Sequence, residues 1–327
     1  MKDIFKKRKE YKPFEYGEIT TPLINAMWSS HWTHNEFNFI NDVQDFKTKV
    51  SNEEKGVIKR AILLTSQVEV AVKSYWSDIG KLLPKPEIAD MGAVFGGVEV
   101  IHSRAYSQIL EKLGLNEEFS EILKEPVVKN RVAYLTKYLN KVYDDDRKNI
   151  LYSLVLFTLF TEATTLFGSF YTVLGFNRFK GGIFKDIANI VQYTSKEENL
   201  HMEGGLALIN NIKEENPDIF DEEFQDRIRE ETKEAIDSED RLVDWILQGY
   251  KNSFLSDEIL KNYVRYRVNE CLGKIGMEKP YNIDQKYIDK FFWMEEEVYA
   301  SALTDFFAKK PIDYAKSNKA YNEEDLF

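Results

Sequence analysis

Hydrophobic and polar positions along this chain recur at helical spacing. In GVIKRAILLTSQVEVAVKSYW (56–76) apolar side chains return every three or four residues, which predicts a helix with one buried face. Ser51-Asn52-Glu53-Glu54 immediately before it reads as a capping box. The loop KLLPKPE, with Pro84 and Pro86, should end that helix. A second is predicted over MGAVFGGVEVIHSRAYSQILEKLG (91–114), stopping near Gly114. Asp144-Asp145-Asp146 suits a helix start before ILYSLVLFTLFTEATTLFGSFYTVLGF (150–176). Further helices are expected in FKDIANIVQYTSKEENLHMEGGLALINNI (184–212), from Ser256-Asp257-Glu258, and in IDKFFWMEEEVYASALTDFFAKK (288–310). No strand–helix alternation, Gly-rich phosphate loop or internal repeat interrupts this pattern. The reading is one all-α domain over residues 31–310, with an irregular segment at 1–30 and a flexible tail at 311–327.

Composition sharpens the picture at a few points. With 16 Gly and 8 Pro in 327 residues, turn-rich β architectures are disfavoured. Aromatic residues, 22 Phe and 18 Tyr among them, can fill a large core. A net charge of -11 excludes a general nucleic-acid binder, which needs a basic face. The single cysteine, Cys271, cannot form an internal disulfide or a thiol metal pair, and a reducing cytoplasm fits. Basic residues at the start have no apolar stretch behind them, so a signal peptide is not expected. Residues 150–176 would be long enough to cross a bilayer, yet Glu162 lies in mid-span. A helix buried in a helical protein, away from any membrane, is the expectation, and it marks Glu162 out.

Two of the four histidines close a Glu-x-x-His motif, Glu99/His102 and Glu198/His201. Positions three apart share a helical face, so each motif offers a carboxylate and an imidazole to one point. Glu69 and Glu162 each stand alone in an apolar run, where an unpaired carboxylate is costly. A basic partner, or for Glu69 exposure to water, would also account for them singly. Two single-Glu helices plus two Glu-x-x-His helices form the pattern of a ferritin-like bundle with a dimetal carboxylate site. Four carboxylates balance two divalent cations. Oxygen-rich ligands with two imidazoles and no thiolate favour iron or manganese over zinc or copper. Such a pair would lie about 3.5–4 Å apart.

VEVIHSRAYSQI and the order of these motifs resemble the small subunit of class I ribonucleotide reductase, over roughly Trp28 to Lys310. The resemblance implies six metal ligands, Glu69, Glu99, His102, Glu162, Glu198 and His201. It makes Tyr106, four residues beyond His102, the radical tyrosine, with Leu166 and Phe170 walling its pocket. Trp32 matches the tryptophan that begins the family's electron-transfer path; His31 and His34 beside it are expected at the surface rather than as ligands. Two departures stand out. Glu69 replaces the Asp common in tyrosyl-radical members, and Glu197-Glu198 replaces the usual Asp-Glu. Both bear on which metals bind and whether the oxidising equivalent rests on Tyr106 or on the metals.

The same resemblance implies a protein activated by dioxygen or a reduced oxygen species, with a flavoprotein activator as a further partner. It would be a homodimer that passes the hole to a separate large subunit, where ribonucleotides become deoxyribonucleotides. The ending NEEDLF suits a docking peptide, with Tyr321, or Tyr314 as the alternative, as the relay. Other readings are a ferritin-like oxidase or hydroxylase acting on a small substrate, and an iron-storage protein.

Overall fold

The computed structural model describes residues 2–72 and 74–308, without the side chains of 70–73 and 300–308. Most of the described residues are helical, and no strand occurs among them. In chain order they are α1 (Gly17–Ser29), α2 (Ile40–Thr48), α3 (Asn52–Val72), α4 (Ser74–Leu82), α5 (Pro86–Leu113), α6 (Asn116–Ile122) and α7 (Pro126–Leu135). There follow α8 (Asp146–Leu156), α9 (Phe167–Phe179), α10 (Lys185–Glu215), α11 (Glu222–Leu247), α12 (Asp257–Lys274) and α13 (Gln285–Ala308).

Local chemistry sets several boundaries. At the start of α3 the Ser51 N–H donates to Glu54 Oε2 at 2.9 Å and the Glu54 N–H to Ser51 Oγ at 3.2 Å, a reciprocal capping box worth about 1 kcal/mol. Asp145 and Ser256 accept the first free N–H groups of α8 and α12. Gly114 closes α5 at φ 70°, a conformation only glycine adopts without strain. That helix begins at Pro86, five residues before Met91, because proline is suited to a first turn that needs no N–H there.

Three features differ from the sequence expectation. Residues 1–30 are not wholly irregular: α1 packs on α5 and α10 through Ile19, Leu23 and Met27, a stripe that Pro22 in its midst disguises. Tyr16 ties its start down, the hydroxyl donating to Glu215 at 2.9 Å. The strongly charged α11 gives little sequence signal, since acids surround its inward residues Phe224, Ile228, Ala235 and Leu242. The long apolar segment is not a plain α-helix; between α8 and α9, Phe157–Thr165 forms a π-helix. This helical stretch, Asp146–Phe179, is long and apolar enough to cross a membrane, but its apolar window is 89% buried in the bundle.

Elements α3, α5, α10 and the π stretch with α9 pack around one another and enclose the centre of the bundle. Gly205 lets α10 approach the π stretch closely; a methyl group there would collide with Thr158. Gly92 and Gly96 do the same where α5 crosses α4. Cys271 is buried, its Sγ 3.5 Å from Met202 Sδ.

Candidate metal centre

Each of the four central elements sends acidic or imidazole side chains inward. Glu69 comes from α3, Glu99 and His102 from α5, Glu162 from the π stretch, and Glu198 and His201 from α10. All six are at most 1% exposed. They fall into two groups, Glu69, Glu99, His102 and Glu198 in one, and Glu99, Glu162, Glu198 and His201 in the other, with one ligand atom per residue within 4.8 Å of the rest. Glu99 and Glu198 belong to both. His102 Nδ1 lies 3.0 Å from Glu198 Oε1 and 3.7 Å from both Glu69 Oε2 and Glu99 Oε2. His201 Nδ1 lies 3.2 Å from Glu99 Oε1, 3.1 Å from Glu198 Oε2 and 3.6 Å from Glu162 Oε2. Each shared carboxylate therefore turns one oxygen to each histidine, and the imidazole centroids are 6.4 Å apart.

Such a cluster does not satisfy itself. Both oxygens of Glu69 and of Glu99, Oε1 of Glu198 and Nδ1 of His102 are buried without a hydrogen-bond partner. Among the described residues neither Lys nor Arg pairs with Glu69 or Glu162. Burial pushes Glu69 and Glu162 well above the usual carboxylate range, and for Glu162 the charge of Glu198 adds to it. Desolvation opposes charge on the two imidazoles as well, but the surrounding carboxylates outweigh it and hold both well above the usual histidine range. Two divalent cations would neutralise four carboxylates and occupy the orphaned lone pairs, so the residues fit a dimetal site.

Protons and cations compete for these atoms. Because burial raises Glu69 and Glu162 and the acids raise the imidazoles, these four groups take up protons before an exposed carboxylate would, while Glu198 keeps its charge to lower pH. We expect Mn(II) uptake, followed by equilibrium dialysis, to weaken from about pH 8 to about pH 5, by roughly tenfold per unit for each proton displaced. Uptake independent of pH across that window would contradict this arrangement.

Around the cluster, Glu197 is 2% exposed and makes two contacts of consequence. Its Oε2 lies 2.7 Å from His102 Nε2, and its two oxygens accept the Trp32 indole N–H at 3.1 and 3.0 Å. A proton on His102 Nε2 leaves Nδ1 as a lone pair facing the cluster, the role that an outer carboxylate plays for a ligand histidine. Trp32 is buried, and its ring stacks toward His102 at 6.3 Å and 24°. The one-methylene lengthening at Glu197 has not broken this chain of contacts. Tyr106 is 1% exposed, with the Thr194 side chain beside its hydroxyl. Burial and the charge of Glu69 raise its phenol well above the usual range. Leu166 and Phe170 are both buried in the core. His31 is exposed and His34 half-buried, neither in the cluster. Tyr314 and Tyr321 lie outside the described residues.

Sequence reading missed Trp76, whose indole donates to Glu162 Oε1 at 2.7 Å. Its signal was its place on the Glu69 run, seven residues on and therefore on the same helical face, had the helix continued unbroken. Phe95, one turn before Glu99, lays its ring 4.5 Å from that of His201.

The family model described as "Ribonucleotide reductase, small chain" matches residues 8–287. A probable ribonucleoside-diphosphate reductase small subunit of Invertebrate iridescent virus 3 is 27% identical, over 95% of this chain and 85% of that one. Among solved structures, the ribonucleotide reductase R2 subunit from Clostridium botulinum superposes with a TM-score of 0.78 at 18% identity, covering 89% of this chain and 91% of that chain. A variant of an R2-like ligand-binding oxidase with a reconstituted Mn/Fe cofactor gives 0.67 at 18% identity, covering 82% and 99%.

Proposed function

Since this chain belongs to the ribonucleotide reductase small-chain family, we propose that it is the radical-generating subunit of a ribonucleoside-diphosphate reductase. The observation that carries the reading is the pair of ligand groups joined through Glu99 and Glu198, with Tyr106 one turn beyond His102 and Trp32 tied to His102 through Glu197. Glu69, Glu99, His102 and Glu198 would hold one ion, and Glu99, Glu162, Glu198 and His201 the other. Iron or manganese held there would supply one-electron oxidising power once activated by dioxygen or a reduced oxygen species.

The chain's own groups do the rest. Tyr106 would give up an electron to the oxidised centre and its phenol proton to the carboxylate cluster, of which Glu69 is the charge it feels most, and its burial keeps the neutral phenoxyl away from water and reductants. Trp32 loses an electron when the hole leaves, and its indole proton has a carboxylate oxygen of Glu197 3.0 Å away to receive it and return it. Glu197 thereby serves two neighbours at once, orienting His102 and holding the Trp32 proton. The onward path runs through Tyr321, or Tyr314, to the large subunit, with residues 311–327 as the docking tail. We further propose a homodimer in the cytoplasm, with a flavoprotein activator as a further partner.

The test is aerobic reconstitution with Fe(II), Mn(II) or both, read by electron paramagnetic resonance, followed by addition of a large subunit and a ribonucleoside diphosphate. Deoxynucleotide formation that requires both subunits is the expected result. Deleting residues 312–327 should leave metal content and the activated spectrum unchanged while binding and turnover collapse, because every ligand lies upstream. Metal-loaded protein that oxidises a small substrate unaided, and yields no deoxynucleotide, would point to a self-contained oxidase instead.

A further inference from the structure

We propose that Arg131 and Arg267 are positioning residues for the metal centre, which hold the carbonyls of the π-helix and so keep Glu162 in the second ligand group. This assignment rests on the two-metal reading of the centre.

Glu162 is the one ligand carried on irregular backbone. A π turn is intrinsically poor and rarely persists without support from its surroundings. It also inserts a residue, which turns everything after it by about 100° relative to a regular helix. Something must therefore choose this backbone over a plain α-helix. Three contacts gather within one turn of Glu162. The Thr164 hydroxyl donates to the Leu159 carbonyl, five residues back, at 2.6 Å. Arg267 Nε, from α12, donates to the Ala163 carbonyl at 2.9 Å. An Arg131 Nη2 group, from α7, donates to the Thr165 carbonyl.

Both arginines are buried, at 1% and 2% exposure, and each brings its own acid. Glu295 of α13 accepts from Arg267 Nη1 at 3.2 Å and from the Tyr263 hydroxyl at 2.8 Å. Glu239 of α11 lies 3.5 Å from Arg131 Nε and accepts the Thr165 hydroxyl at 2.7 Å. The Arg267 guanidinium also lies 3.6 Å from the centroid of the Phe167 ring, the first residue of α9. Hydrophobic residues of similar volume commonly serve stability as well as a buried ion pair or better. Arg131 even leaves Nε and Nη1 without a hydrogen bond. Two such pairs converging on one irregular turn therefore specify geometry rather than add to core packing. Trp76 donates to the Glu162 carboxylate, so both the backbone around Glu162 and its side chain are held.

The experiment is Mn(II) titration of the apo protein, read by bound equivalents and by electron paramagnetic resonance. Wild-type protein should take up two equivalents and show a spectrum broadened by coupling between neighbouring ions. Arg267→Met and Arg131→Met should retain one tight equivalent with an isolated six-line signal, and bind the second roughly tenfold or more weakly, as loss of an outer partner does. Arg265→Met, on the same helix but paired with Asp240 near the surface, should behave as wild type. Two tight, coupled equivalents in both Met variants would overturn the assignment. If circular dichroism shows the Met variants unfolded, Arg267→Lys decides: it keeps the charge but not the planar fork, so second-site affinity at least about threefold below wild type supports the role. Wild-type affinity in that variant overturns it. Wild-type protein that took up no Mn(II) would overturn the metal reading itself, an outcome separate from intact uptake in the variants.

Discussion

Glu198→Ala protein is expected to lose tight binding of both metal ions, whereas Glu69→Ala should keep one. The difference comes from sharing. Glu198 turns Oε1 to His102 and Oε2 to His201, so its removal strips a ligand and a negative charge from both positions. Glu69 belongs only to the group around His102, and without it the group of Glu99, Glu162, Glu198 and His201 stays whole. Each lost ligand should cost more than the roughly 10–100-fold that loss of an outer partner costs. Burial disfavours the Glu69 carboxylate, so the apo fold should survive its loss. Against its own burial, hydrogen bonds with Glu162 and His102 and the charge of His201 hold Glu198 well below the usual carboxylate range, and its loss should cost apo stability. Metal content after reconstitution, with helical content as the control, reads the result. Equal stoichiometry in the two variants would sink the shared-ligand arrangement.

Tyr106→Phe is expected to load metal normally and to fall to background turnover with the large subunit, with no tyrosyl signal. Its hydroxyl is buried with only the Thr194 side chain beside it, so removing it should cost no more than about 1 kcal/mol and leave the melting temperature little changed. A stability loss beyond about 1 kcal/mol would show a hidden partner for the phenol. The spectrum then separates two mechanisms. Loss of both signal and turnover places the oxidising equivalent on Tyr106. Retained turnover with an intact metal-centred signal places it on the ions, a result the longer Glu69 side chain would help to explain.

Much of the centre is legible in the chain because its ligands sit at short helical intervals. Glu99/His102 and Glu198/His201 are three apart on single helices, and Glu69 and Glu162 are conspicuous as lone acids among apolar neighbours. The cap at Ser51 and the stop at Gly114 are legible for the same reason, since their chemistry spans only a few residues. α1 is hidden by a proline in its own stripe, and α11 by the density of charge on its outer face.

The chain by itself determined the helical class and the inventory of the centre, four acids and two imidazoles with Tyr106 beside them, because periodicity over three to seven residues is a local property. Tertiary structure alone decided which carboxylates are shared, that Glu197 links Trp32 to His102 across 165 and 95 residues, and that Trp76 serves Glu162 across 86. It also decided the π turn, which buried arginines from α7 and α12 meet at its carbonyls. A backbone register that depends on side chains 34 and 104 residues away leaves no periodic trace in its own segment, and so appears only once the helices are packed.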